Sequence, residues 1–236
     1  MPERLHDYAS LLRAVETRLD TVQPPLIVAI AGPPATGKST LAQRLTEDLL
    51  AAGQLAAHCP MDGFHKTNTQ LAAEGLRSVK GRIDTFDAVA FAKAVARLAK
   101  GDVFWWPRYS RHRHDPVPEG TRIEGNETVC IVEGNYILTN ARPWSSAAAH
   151  FGLRIFMDAP DGLLRRRLTQ RHERGGKGRG ETSEKIVRTD MPNATEIRKT
   201  ASVADFLFLE AVDVQGRTIH CRPQAMLAMI GPALEK

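Results

Sequence analysis

Apolar residues recur along this chain in two patterns, short unbroken runs and steps of three and four. The run at 26–31, Leu-Ile-Val-Ala-Ile-Ala, is rich in β-branched residues and predicts a strand buried on both faces. Two more runs, at 128–132 and 153–157, read the same way, and 55–59 is a further strand candidate. Leu5, Tyr8, Leu12, Val15 and Leu19 follow the helical period and predict an amphipathic helix ending before Pro24-Pro25. Leu41, Leu45 and Leu49 step by four up to Gly53, a natural helix stop. Val89, Ala92, Val95 and Leu98 predict one face of a helix over 88–100, closed by Gly101. A basic helix is expected from Asp161 to Arg174. The segment 174–180 carries too many glycines for a stable helix. Near the end, 206–209 and 217–220 suggest strands, with a turn at Gln215-Gly216.

Strands alternating with helices imply a doubly wound, mainly parallel sheet with helices on both faces, an α/β architecture. The 236 residues suit one large domain more readily than two. The expected organisation is an N-terminal helix, 1–24, packed on a single unit over 25–236.

Between the strand at 26–31 and the helix after it lies Gly32-Pro33-Pro34-Ala35-Thr36-Gly37-Lys38-Ser39, followed by Thr40. It matches the P-loop pattern G-x-x-x-x-G-K-[ST]. Glycines let the backbone wrap a phosphate with its N–H groups inward, and the helix start adds a positive end. Gly32, Ala35, Thr36, Gly37, Lys38, Ser39 and Thr40 are the expected nucleotide contacts. Lys38 would bridge the β- and γ-phosphates and Ser39 would coordinate Mg²⁺. ATP and Mg²⁺ are thus the expected cofactors. A glycine-rich turn with an incidental lysine is the alternative, but it would not explain a buried strand before the loop and an amphipathic helix after it.

A P-loop alone does not separate kinases from other nucleotide-binding proteins. Asp62, in Met-Asp-Gly-Phe-His, follows a strand candidate, and an acid there points at the nucleotide crevice. It reads equally as a base for an acceptor hydroxyl or as a turn aspartate beside Gly63. Glu133 ends an unbroken apolar strand, the place of a carboxylate that holds Mg²⁺ directly or through water. Arg167, Arg171 and Arg174 share one face of the basic helix beside the glycine segment. Such a face suits a lid, around 161–190, closing on a triphosphate.

Charge and composition narrow the alternatives. The net charge of +5 suits either nucleic acid or phosphate ligands. No Phe, Tyr or Trp lies in 160–200 to stack on bases, which argues against single-strand binding. Three cysteines without a C-x-x-C pair predict buried free thiols in a reducing compartment. No run approaches the roughly 20 apolar residues of a membrane span, and the N-terminus has no apolar signal core. A cytoplasmic protein with a small-molecule partner, no nucleic acid and no membrane is expected, with a homodimer allowed.

These motifs together resemble the phosphoribulokinase/uridine kinase/pantothenate kinase family of P-loop kinases. The resemblance covers about 25–210. It rests on G-P-P-A-T-G-K-S-T, M-D-G-F-H, K-G-R-I-D-T-F-D, P-R-Y-S-R-H-R-H-D-P, V-E-G-N-Y and D-A-P with a basic helix, in the family's order. It implies the P-loop NTPase fold and ATP-dependent phosphorylation of a small hydroxylated metabolite. It further implies Asp62 as catalytic base, Glu133 as magnesium-site acid, and Arg167 and Arg171 as lid arginines. Tyr109 and Asp115 match an acceptor-side loop, to which His65, Arg111 and Asn135 are added as acceptor contacts. Arg111 stands where pantothenate kinases have a substrate-contacting histidine. The chain looks most similar to the fructose-transport-associated branch, which implies a sugar such as fructose, with pantothenate or a nucleoside as the next acceptor.

Overall fold

The computed structural model describes residues 2–209. The elements run β1 (Glu3–Leu5), α1 (Tyr8–Leu19), β2 (Leu26–Ala31), α2 (Lys38–Ala51), β3 (Ala56–Pro60), α3 (Asn68–Ala73) and α4 (Ala88–Lys100). They continue with β4 (Phe104–Ser110), β5 (Asp115–Ile123), β6 (Val129–Gly134), α5 (Trp144–Ala148) and β7 (Leu153–Asp158). The last are α6 (Asp161–Arg174), α7 (Arg179–Lys185), α8 (Met191–Arg198) and β8 (Phe206–Leu209).

Six strands form one parallel sheet in the order β1-β8-β7-β2-β6-β3. β2 lies inside it, bonded to β6 on one side and β7 on the other. Every residue of β2 and β6 is buried, as their unbroken apolar runs require. Alternate side chains of β2 enter opposite cores. Ile27, Ala29 and Ala31 join the cluster beneath α4 and α5, with Phe91, Trp106 and Trp144. Leu26, Val28 and Ile30 join the cluster beneath α1 and α2, with Leu11, Leu45 and Leu49. From β2 the chain travels outward to β3, returns to β6, and then crosses β2 to reach β7. Such a reversal opens a crevice at the C-terminal ends of the strands.

Several expectations change in detail. Leu5 belongs to an edge strand paired with β8, and α1 begins only after the Asp7 cap, whose side chain accepts from the Ser10 N–H. The buried stripe of α1 is Leu11 and Val15. In α4 the buried face is Phe91, Ala94, Val95 and Leu98, while Val89 is 53% exposed. The bulky Phe91 sets the helix rotation, filling the aromatic cluster with Phe64, Trp106 and Trp144. α7 begins at Arg179, inside the glycine-rich segment expected to lack helix. The antiparallel hairpin β4–β5 was not anticipated. Its prolines, at 107, 116 and 118, are unusual in a strand and hid the pattern. Cys59 and Cys130 are buried and free, whereas Cys221, the turn at 215–216 and the strand expected at 217–220 lie outside the described residues. No helix among the described residues is long and apolar enough to cross a membrane.

Candidate active site

The P-loop joins β2 to α2 and takes left-handed backbone at Gly32 (φ 148°), Ala35 (φ 67°) and Gly37 (φ 97°). A side chain at Gly32 would overlap the Met157 carbonyl oxygen of β7, so the loop can press against the sheet only with glycine there. Thr36 Oγ1 donates to the Pro33 carbonyl at 2.9 Å and braces the turn from inside. Lys38 is 6% exposed, and its Nζ donates to the Pro33 carbonyl at 2.7 Å. Burial pulls its pKa down to about 8 against the attraction of Glu133 and Asp62, with Arg171 adding to the lowering. Gly37, as N-cap, supplies no side-chain cap to α2. The first N–H groups of that helix therefore keep their capacity for an anion.

Beside the loop, Ser39 Oγ donates to Glu133 Oε1 at 2.9 Å. β2 and β6 are neighbours in register, with Ile30 opposite Glu133, so the loop after one strand meets the acid ending the other. His58 Nε2 of β3 stands 3.8 Å from the same Glu133 oxygen. The described residues hold no cluster of three or more His, Cys, Asp or Glu fit for a metal. A hydroxyl and one carboxylate side by side are nevertheless the hard oxygen donors that suit Mg²⁺, which keeps most of its waters and binds the phosphates as well.

Asp62 lies on a short 3₁₀ turn, Met61–Phe64, directly after β3. A Cβ at Gly63 would overlap the Pro107 carbonyl oxygen, so glycine here lets the hairpin cross close behind Asp62. His65 Nδ1 donates to the Asp62 carbonyl at 2.8 Å, and the ring stacks between Phe86 and Tyr109, with centroids at 4.0 and 4.9 Å. Burial lowers the His65 pKa and keeps the imidazole neutral, although Asp62 works against it. Tyr109 is held protonated, its pKa pushed up to about 12 by burial and then by Asp62 and Asp115.

One continuous cleft of about 1810 Å³ takes in the P-loop, Asp62, His65, Tyr109, Arg111, Glu133, Asn135, Arg167 and Arg171. Ala35, Thr36, Gly37, Lys38, Ser39 and Thr40 all border it. Gly32 sits at its base against β7. Asp115 does not border it. Asp115 Oδ1 instead accepts from the Asn68 N–H at 2.8 Å and lies 3.9 Å from Lys80 Nζ, an anchoring position behind the wall.

α6 rises from the end of β7 and packs Leu163, Leu164 and Leu168 against Ile186, Met191 and Ala194, with Ala35 of the P-loop alongside. Arg167 Nη1 reaches back to the Ala35 carbonyl at 3.2 Å. Further contacts from this region went unnoticed in the sequence. Lys185 Nζ donates to the Lys80 carbonyl at 2.9 Å, while Asn193 Nδ2 and Tyr136 Oη both donate to the Gly81 carbonyl, at 3.2 and 2.8 Å. His172 Nε2 and Asp190 Oδ2 pair at 2.7 Å across the π-helical turn Ile186–Asp190. The K-G-R-I-D-T-F-D motif marked the stretch containing Lys80 and Gly81, but nothing local to it names its distant partners.

The comparisons with known proteins agree with this fold. YggC of Escherichia coli K12, a protein of uncharacterised function, is 35% identical over 193 residues, 80% of each chain. A crystal structure described as a "putative fructose transport system kinase", from Silicibacter sp. TM1040, superposes with a TM-score of 0.78 at 33% identity, covering 85% of this chain and 98% of that one. The pantothenate kinase of Lactococcus lactis subsp. lactis is 28% identical over 162 residues, 64% of this chain and 50% of the relative. The phosphoribulokinase/uridine kinase family profile matches residues 27–214. With the profile spanning most of the chain and a P-loop facing an acid across one cleft, the protein is a kinase of the phosphoribulokinase/uridine kinase family.

Proposed function

We propose that the protein transfers the γ-phosphate of ATP to a hydroxyl of a small polar metabolite, a sugar such as fructose in the first instance. The observation that carries this reading is that Lys38 and Asp62 border one cleft and interact electrostatically, with the Ser39–Glu133 pair beside them. Backbone N–H groups from Ala35 to Thr40 would cradle the phosphates, and Lys38, which here donates to the Pro33 carbonyl, would turn to the phosphate oxygens. Ser39 and Glu133 are the residues that would hold Mg²⁺, which would neutralise phosphate charge. Asp62 accepts the proton of the acceptor hydroxyl as its oxygen bonds to the γ-phosphorus and ADP leaves. Arg167 and Arg171, on the lid over 161–190, stabilise charge on the transferring group. His65, Tyr109, Arg111 and Asn135 orient the acceptor. Arginines rather than aromatic residues dominate the lid side of the cleft, which favours a polyhydroxylated acceptor over the apolar chain of pantothenate.

Labelled ATP offered with a panel of sugars, nucleosides and pantothenate tests this directly. Label is expected in a sugar. ATP binding with no label in any acceptor would overturn the reading in favour of a regulatory nucleotide-binding module.

A further inference from the structure

The cleft is more cationic than a nucleotide requires. Its walls carry eleven lysine and arginine side chains against six aspartates and glutamates, an excess equal to the +5 of all 236 residues. A nucleoside triphosphate with one Mg²⁺ carries about two negative charges. Roughly three positive charges are left over, and their field would attract a further anion.

The surplus has a location. On the lid, Lys177 pairs with Glu181, and Arg188 with Glu184. Outside the P-loop and the segment 161–190, Arg77 and Arg111 are the cleft-bordering cations that make no ion pair with a described residue. Arg111 opens the turn Arg111–His114 that joins β4 to β5, where Ser110 faces Asp115 in register. That turn is firmly held. Lys80 Nζ donates to the His114 carbonyl at 2.7 Å and to Asn68 Oδ1 at 2.9 Å, and Asn68 Nδ2 donates to the same carbonyl at 3.0 Å. Arg111 and His112 are thereby presented to the cleft from a fixed backbone.

These cations lie on the acceptor side. Lys38 feels the charges of Glu133, Asp62 and Arg171. Tyr109 feels Asp62, Asp115, Arg171 and Arg111. His65, bonded to the Asp62 carbonyl at 2.8 Å, lies 4.9 Å from the Tyr109 ring, and Arg111 follows Tyr109 closely on the same strand end, so these groups share one end of the cleft. Lys80 lies over the Tyr109 ring, 5.1 Å from its centroid, and Arg77 is near enough to act on Lys80.

We propose that the acceptor bears an anionic group of its own, a phosphate ester or a carboxylate, bound by Arg111 and Arg77 while its hydroxyl faces Asp62. Lys80 is a positioning residue that pins the turn carrying Arg111. This rests on the kinase reading and narrows it: among the sugars proposed above, a phosphorylated or acidic derivative is preferred to the neutral one. Guanidinium groups suit the task because they meet phosphate or carboxylate oxygens with two parallel hydrogen bonds.

The test compares acceptors that differ only in the charged group, using the full chain and MgATP: fructose with fructose 6-phosphate, glucose with gluconate, glycerol with glycerate. ADP release gives kcat/KM for each. The charged member of at least one pair is expected to exceed its neutral partner by about tenfold or more, and its KM to rise with added salt. Preference within the fructose pair alone assigns a phosphate site; preference within the other two assigns a carboxylate site. Arg111→Gln, on an exposed turn, is expected to shrink that ratio by about tenfold while leaving the KM for ATP unchanged. Neutral acceptors used as well as charged ones, or a ratio that Arg111→Gln does not alter, would overturn the anionic acceptor and leave the kinase reading standing. ATP binding with no transfer to any acceptor would overturn both.

Discussion

The two ends of the cleft are built by different means. The end read above as phosphate-binding is a single stretch, 32–40, whose backbone would do the binding and whose shape is set by left-handed residues and by Thr36 bracing Pro33. The acceptor end is assembled from side chains on separate segments: Asp62 and His65 after β3, Lys80 before α4, Tyr109 and Arg111 on the hairpin, and Asn135 after β6. Lys185 and Asn193, from the segment after β7, tie these together by bonding the carbonyls of Lys80 and Gly81. A backbone cradle recognises any triphosphate and tolerates change around it. A set of converging side chains selects one acceptor and can be retuned one residue at a time.

Substitutions at either end should therefore fail in different ways. The largest effect is expected from Asp62→Asn, which removes the proton acceptor and should lower kcat by about 10²–10⁴ with ATP affinity near normal. Isotopically labelled ATP binding beside steady-state kinetics measures both quantities, and unchanged turnover in the folded variant would remove Asp62 from the role of base.

Next comes Lys38→Ala, expected to lower transfer by about 10²–10³ through loss of charge stabilisation. The folded, nucleotide-free protein should not suffer, because Lys38 is a buried cation held within its own loop by the Pro33 carbonyl at 2.7 Å and, at 3.4 Å, Thr36 Oγ1. Calorimetry should show a Tm equal to or above that of the parent; a sharp fall would mark Lys38 as structural.

Arg171→Ala tests the boundary between the two ends, since its charge acts on both Lys38 and Tyr109. A loss of about 10–10² in kcat is expected, larger than any rise in the KM for ATP, because the charge is needed most in the transition state. Arg171→Lys should recover only part of it, an ammonium lacking the two-pronged geometry. If the helix served RNA instead, kcat would stay normal and RNA retention would weaken with salt.

The smallest effect concerns pH. The folded pKa of Lys38 is about 8, against 10.5 when unfolded. Below pH 8 both states are protonated, and the cost of burying the charge is fully present. Above it the folded state releases its proton first, the unfolded state holds more protons, and stability rises with pH toward 10.5. Tyr8, Tyr109, Tyr136 and Cys59 have raised values and oppose this rise at higher pH. Melting curves between pH 8 and 9, taken as the difference between the parent and Lys38→Met, should isolate an upward slope of a few degrees or less. Saturating MgATP should flatten it, and a downward slope would contradict the burial-driven shift.

Much of the phosphate end was legible in the residues alone, and the reason is locality. An apolar run, a glycine loop and an amphipathic helix are contiguous, so spacing alone carries the shape of Gly32 to Thr40. Glu133 was legible because a buried strand fed into it without interruption. Asp62 was less legible from its local context, which allowed a turn aspartate as well as a base; the structure puts it on a short 3₁₀ turn that borders the cleft shared with Lys38, and its role as base is the proposal above. Asp115 shows the opposite case, a residue matching an acceptor loop whose carboxylate is turned to the Asn68 backbone instead. The face of α4 was misplaced because Val89, Ala92, Val95 and Leu98 follow the helical period, while the aromatic cluster takes the bulkier Phe91.

The sequence by itself determined what depends on near neighbours: the strands that must be buried, the helix after the P-loop, and the turn that fits a phosphate. Backbone preference and hydrophobic period act over a few residues and need no partner to be named. Tertiary structure alone decided which charges meet. Lys185 and the Lys80 carbonyl are 105 positions apart, Asn193 and the Gly81 carbonyl 112. Such pairs form because strand order in the sheet and packing of the lid carry them together, and electrostatic interaction depends on that distance in space and not on distance along the chain.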